Sequence, residues 1–185
     1  NLLGQNYPAN KSEIIFADGM STDGTKALLE EYAKESPQIL VIDNPDRYVP
    51  TGLNAALRAS KGTIIIRMDA HSIYPTDYWK TLVSKLDEHT ADNVGGVWDT
   101  QAGADTDEAM AIVLATSHPL GIGNAAYRLG GDCDAEADTV PFGCFRRDVF
   151  DRIGLFDPQL VRNQDDEFNG RIRRNGGRIM LIPAV

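Results

Sequence analysis

Gly62-Thr63-Ile64-Ile65-Ile66-Arg67-Met68-Asp69-Ala70-His71-Ser72 is the stretch that decides how this chain folds. A turn glycine opens a short β-branched run, the pattern of a strand covered on both faces, as in a parallel sheet. The run stops at polar residues, so Asp69 and His71 fall just past the strand's C-terminal end, where open α/β sheets bind their ligands. A carboxylate and an imidazole two positions apart can share one divalent cation, and such a cation can carry a diphosphate. Alone, an Asp-x-His after a strand is more often a plain loop, because Asp also serves turns and caps.

Upstream, Glu13 to Ala17 reads as a short buried strand that breaks into Asp18-Gly19-Met20-Ser21-Thr22-Asp23-Gly24-Thr25. This loop feeds a helix over 26–34, with Ala27, Leu28, Tyr32 and Ala33 toward one face and Ser21, Thr22 or Asp23 to cap its start. Residues 39–43 form a second strand, Thr51 caps a helix over 53–59, and Gly62 returns the chain to the central run. Strand, helix, strand, helix, strand in so short a span implies right-handed parallel crossovers. The fold class is α/β.

Downstream, Thr76 caps a helix carrying Trp79, Leu82, Val83 and Leu86 on one side, and a strand follows over 94–98. Residues 109–115 look helical, whereas 117–138 are rich in glycine and lack periodicity, the mark of a functional or mobile segment. Thr139 to Gly143 leads through Cys144 and Phe145 to Arg146-Arg147 and a helix that stops at Gly154. The last helix begins at Asn163-Gln164-Asp165-Asp166-Glu167 and ends with Arg171, Arg173 and Arg174. Acids first and arginines last suit the helix dipole.

With 185 residues, 42% hydrophobic and 24% charged, the chain suits a single domain spanning 1–185 with a real core. A net charge of −9 argues against a sequence-independent nucleic-acid binder, which needs a basic stripe. An anionic ligand would then rely on a local metal or on arginines. Cys133 and Cys144 lack the number and spacing of a disulfide framework or a zinc site, so reduced thiols in a cytoplasmic setting are expected.

Four pieces in order carry a resemblance. Asp18-Gly19 with Ser21-Thr22-Asp23-Gly24-Thr25, then Asp69-Ala70-His71, then Gly143 with Arg146-Arg147, then Asp165-Asp166-Glu167 with Arg171 resemble the family 2 inverting glycosyltransferases of GT-A fold. Val161 to Glu167 looks most like their bacterial exopolysaccharide branch, of the succinoglycan glucosyltransferase kind. The resemblance implies a mostly parallel central sheet flanked by helices, and transfer of a sugar from a nucleotide-diphosphate sugar, such as a UDP-sugar, to a carbohydrate or lipid-linked acceptor. It assigns Asp18, with Ser21, to the nucleotide, where a carboxylate can accept the imide N–H of uracil. Asp69 falls on the acid that touches ribose or metal and His71 on the metal ligand; an imidazole there favours Mn²⁺ over Mg²⁺. The general base falls on Asp165 or its neighbour Asp166, with Asp165 in the better register. Gly143, Arg146 and Arg147 become candidates for phosphate or acceptor.

Other patterns compete. Gly121-Ile122-Gly123-Asn124-Ala125-Ala126 matches a dinucleotide-binding spacing, but the Pro119 segment before it is no buried strand. A domain that binds nucleotide sugar or carbohydrate without catalysis is the main alternative; a sugar-1-phosphate nucleotidyltransferase lacks its phosphate loop here. The resemblance also implies a strand and helix before Asn1, a chain cut at both ends, and, for the longer protein, membrane contact at the cytoplasmic face through segments outside 1–185. The strands at 13–17 and 63–68 are then expected to stand a strand's width apart, about 9–10 Å, or to re-pair.

Overall fold

The computed structural model describes residues 2–122 and 125–185. The dinucleotide-like glycine pattern lies partly outside these residues, at 123 and 124.

Strand β1 (Ile14–Asp18) pairs in parallel with β2 (Ile39–Asp43), joined by helix α1 (Thr25–Glu35). Helix α2 (Val49–Ala59) then leads to β3 (Ile64–Ile66), and α3 (Tyr78–Glu88) to β4 (Asn93–Gly96). After α4 (Asp107–Ser117) and the short α5 (Pro119–Ile122) come β5 (Ala135–Glu136), β6 (Cys144–Arg146), α6 (Arg147–Ile153), α7 (Gln164–Arg174) and β7 (Ile179–Ile182). Five strands form one sheet in the order β3-β6-β4-β7-β5.

Several elements differ from their sequence reading. Gly24, at φ +91°, stands at the start of α1, and Asp23 before it accepts the Thr25 N–H at 3.1 Å, so of Ser21, Thr22 and Asp23 it is Asp23 that serves the helix start. Helix α1 buries no residue, and Leu28 and Tyr32 stay largely exposed. Helix α2 starts before Thr51, because Pro50 fits the first turn; the Thr51 hydroxyl meets the Tyr48 carbonyl and Asn44 Oδ1. The sheet is mixed and not mostly parallel: β1–β2 and β4–β7 are parallel, but β6 runs antiparallel to β3 and β4, and β5 to β7. The isoleucines of β3 alternate between two cores. Ile64 and Ile66 join Ile14, Trp79, Leu82 and Val94 on one side, while Ile65 joins Leu57, Phe145, Phe150 and Phe168 on the other.

Among the described residues β1 and β3 share no ladder. A cavity of about 240 Å³ opens between them, with Ile14 and Phe16 from one strand and Ile64 and Ile66 from the other in its wall. The two strands are thus not directly paired, as expected of them. Glu13 ties their starts, accepting the Gly62 N–H at 2.8 Å.

Candidate active site

The site grows from the residues that follow β3. The Arg67 N–H donates to the Gly143 carbonyl at 3.0 Å, which continues the β3–β6 pairing by one residue and aims the Arg67 side chain inward. Charge inside a protein is costly unless paired and hydrogen-bonded. Arg67, its side chain 5% exposed, meets two acids: Asp69 at 3.1 Å, and Asp165 on the first turn of α7. Its guanidinium also lies 5.4 Å from the centre of the Phe142 ring. Asp69 is steadied through its backbone, whose N–H donates to the Tyr74 hydroxyl at 2.8 Å. His71 is exposed in the turn that follows.

Asp165 turns inward and Asp166 outward. One Asp165 oxygen takes the Arg67 contact; the other, Oδ1, is buried with no hydrogen-bond partner among the described residues. Burial pushes the Asp165 carboxyl above the ordinary range, against the pull of Arg67 and with repulsion from Asp69 and Asp166 adding to it. Asp166 is exposed and accepts the Thr139 hydroxyl at 2.8 Å. Glu167 is held by Arg171 at 2.7 Å, and Arg171 also donates to the Ile153 and Leu155 carbonyls, so both are structural.

Asp69 forms part of the wall of a cavity of about 810 Å³, together with Gly19, Asn44, Arg47, Tyr48, Ser72 and others. Its volume lies in the range of small-molecule and cofactor sites. Asp18 ends β1 beside this cavity, where Ala17 and Gly19 reach the wall. It is 5% exposed and accepts the Ser21 N–H at 2.9 Å. Hydrogen bonds from the Ser21 hydroxyl and N–H hold its carboxyl below the usual range. Buried Asn44 shapes the far wall, donating to the Tyr48 carbonyl at 2.9 Å.

Asp18, bonded to Ser21, ends β1; Asp69, with His71 two residues on, follows β3; and Arg67 joins Asp69 to Asp165 and, through its backbone, to Gly143. Arg146 and Arg147 do not join them. Because β6 is antiparallel to β3, Arg146 pairs with Ile64, at the end of β3 opposite Asp69. Arg146 binds Asp87 and the Leu86 carbonyl at the end of α3, and Arg147 binds the Gly62 and Leu57 carbonyls. Their guanidiniums close helix ends and face no phosphate site. Gly143 has a packing reason: a Cβ there would lie 2.3 Å from Asn93 Oδ1.

Arg67 is a site residue that the sequence pattern does not single out: an arginine closing a run of isoleucines calls for a buried anion, but the pattern does not say which one. Another group, Glu88, His89 and Asp134, brings three metal-capable side chains together. Lys85 already sits there, 2.8 Å from Asp134 and 2.9 Å from Glu88. The group lies at the far end of α3, about 15 Å of helix from Tyr78.

Residues 1–154 match the glycosyl transferase family 2 model. The chain belongs to that family. It is 31% identical over 172 residues, 92% of its length, to the succinoglycan biosynthesis protein ExoA of Rhizobium meliloti, of which this covers 51%. It is 25% identical over its whole length to a Methanococcus voltae dolichyl N-acetyl-alpha-D-glucosaminyl phosphate 3-beta-D-2,3-diacetamido-2,3-dideoxy-beta-D-glucuronosyltransferase, covering 59% of it. The chain therefore spans between half and three-fifths of these relatives. In fold it is similar to S. aureus TarS 1-349 in complex with UDP-GlcNAc, with a TM-score of 0.74 at 18% identity over all of this chain and 50% of that one. GalNAc-T7 with UDP, GalNAc and Mn²⁺ gives 0.73 at 16% identity over 98% of this chain and 38% of that one. This family 2 chain has the GT-A fold.

Proposed function

We propose that this domain transfers a sugar, with inversion, from a nucleotide-diphosphate sugar to a hydroxyl of a carbohydrate or lipid-linked acceptor in exopolysaccharide or cell-surface glycan synthesis. One observation carries the reading: Asp69, in the wall of the large cavity, and Asp165, with one buried and unpaired oxygen, meet on a single guanidinium. The UDP-containing structures of similar fold support a UDP-sugar as donor, and the succinoglycan relative supports exopolysaccharide synthesis as the setting. In this reading the setting is the cytoplasmic face of the membrane. No helix among the described residues is long and apolar enough to cross it.

The donor occupies the 810 Å³ cavity, its base toward Asp18 and Tyr48 and its diphosphate toward Asp69. The Asp165 carboxylate takes the proton of the acceptor hydroxyl while that oxygen attacks the anomeric carbon from the face opposite the leaving nucleotide. Burial keeps this carboxylate more basic than an exposed one.

An oxygen from Asp69 and a nitrogen from His71, on one turn beside the cavity, form a donor set that fits Mn²⁺ better than Mg²⁺. Bound there, Mn²⁺ supplies charge neutralisation for the departing diphosphate.

A thermal-shift screen of UDP-, GDP- and dTDP-sugars with and without Mn²⁺, followed by assay of free nucleotide and product anomer, tests the proposal. Stabilisation by a UDP-sugar with release of UDP and an inverted product is expected. Stabilisation without release would favour a non-catalytic binding domain, and release of pyrophosphate a nucleotidyltransferase.

A further inference from the structure

Arg67 lies two positions before Asp69 and 98 before Asp165, and it binds both. Its place is over-determined: the backbone is pinned to Gly143, the guanidinium sits by Phe142, and the side chain is almost wholly covered. Arginine offers five donors in a rigid planar fork. Here Nη1 serves Asp165 and Nη2 serves Asp69, while Nε is buried without a partner among the described residues.

A purely structural arginine would need one acid, and apolar residues often replace a buried ion pair without loss of stability. What the second acid adds is geometry. Two carboxylates in one pocket repel each other, and a cation between them lets both lie close while ionised. The fork's two terminal nitrogens then set the distance from the cavity wall to the unpaired Asp165 oxygen. A rigid spacer of this kind is how enzymes keep reacting groups within a fraction of an ångström of productive geometry.

We propose that Arg67 is the positioning residue that holds Asp165 at a fixed separation from Asp69, and so aligns the proton-accepting side of the site with the donor side. This rests on the transfer reaction proposed above. Arg67 itself touches neither substrate nor leaving group. Its removal should let the Asp165 side chain drift while the cavity that takes the donor remains, so turnover should suffer far more than donor binding.

The test uses the purified full-length protein with a donor it turns over. Arg67→Met should lower kcat by ~10² or more, with donor KM within about threefold of wild type. The same change made in Asp165→Asn should have almost no further effect on kcat, because residues that act as a unit are not additive. Arg67→Lys, with one ammonium in place of a fork, should recover part of the lost kcat. A rise in KM at unchanged kcat, or a full additive loss in the Asp165→Asn background, would overturn the proposal. Should Arg67→Met fail to fold by circular dichroism, Arg67→Lys decides alone: turnover equal to wild type means the fork is unused. If wild type releases no nucleotide from any sugar nucleotide, it is the transfer reading that fails, and the role of Arg67 falls with it.

Discussion

The Thr139 hydroxyl donates to Asp166 Oδ1 at 2.8 Å. That contact fixes which of two adjacent acids faces outward. Asn169 reinforces it, donating to Thr139 Oγ1 at 2.9 Å and accepting from buried Asn93 at 2.7 Å. This amide chain sets the rotation of α7, and Asp165 is left pointing at Arg67.

Asp165→Asn should therefore cut sugar transfer by ~10² or more, the ordinary worth of a general base. Asp166→Asn should leave kcat within about threefold of wild type. Steady-state rates of both purified variants check this, and a reversed order would exchange the roles.

His71 is exposed and contributes nothing to either core. His71→Ala should keep the melting temperature while weakening Mn²⁺-dependent nucleotide binding about tenfold, or about 1.4 kcal/mol. Calorimetric titration with and without Mn²⁺ measures it, and unchanged affinity would remove His71 from the site.

The pH profile follows from Asp165. The base must be ionised, and its carboxyl is raised above the ordinary carboxylate range, chiefly by burial. kcat/KM should climb with pH along an acid limb centred above the ordinary carboxylate value. The stability linkage has the opposite sense: a raised native pKa means the folded state binds the proton more tightly. The Asp165 contribution to stability is fully present below the unfolded pKa and is lost as pH rises through the folded one. A limb at or below the ordinary carboxylate value would contradict this assignment.

Gly143→Ala should destabilise the fold by about 1–3 kcal/mol, the usual cost of forcing atoms into a packed interior. The added carbon would meet Asn93 Oδ1 at 2.3 Å and the Phe145 ring at 2.4 Å, and both residues are buried. Denaturant titration reads the loss. A neutral result would mean that the β4–β6 contact opens easily.

The sequence showed β2 to the residue and the positions of Asp69 and Asp165, because hydrophobic runs and polar breaks are local signals. It did not show β6 or its direction, since a three-residue strand carries too little pattern to reveal either. That one unknown moved Arg146 and Arg147 from the expected phosphate site to the other end of the sheet. Nor could periodicity reveal that Leu28 and Tyr32 of α1 stay largely in solvent while Ala33 packs on the core, because burial depends on what packs against it. The Arg67 triad was invisible for a similar reason: its partners lie 2 and 98 positions away, and only the fold joins them.

The missing ladder between β1 and β3 also bears on how the molecule comes apart. Asp18 and its strand pair are joined to the sheet that carries Arg67 by side chains, loops and the Glu13 clasp, not by backbone rungs. Heat or denaturant should release the β1–α1–β2 portion before the five-stranded sheet. Its amides would exchange with deuterium at a lower opening free energy than those of β4 and β7, and melting would be broader than that of a single cooperative unit.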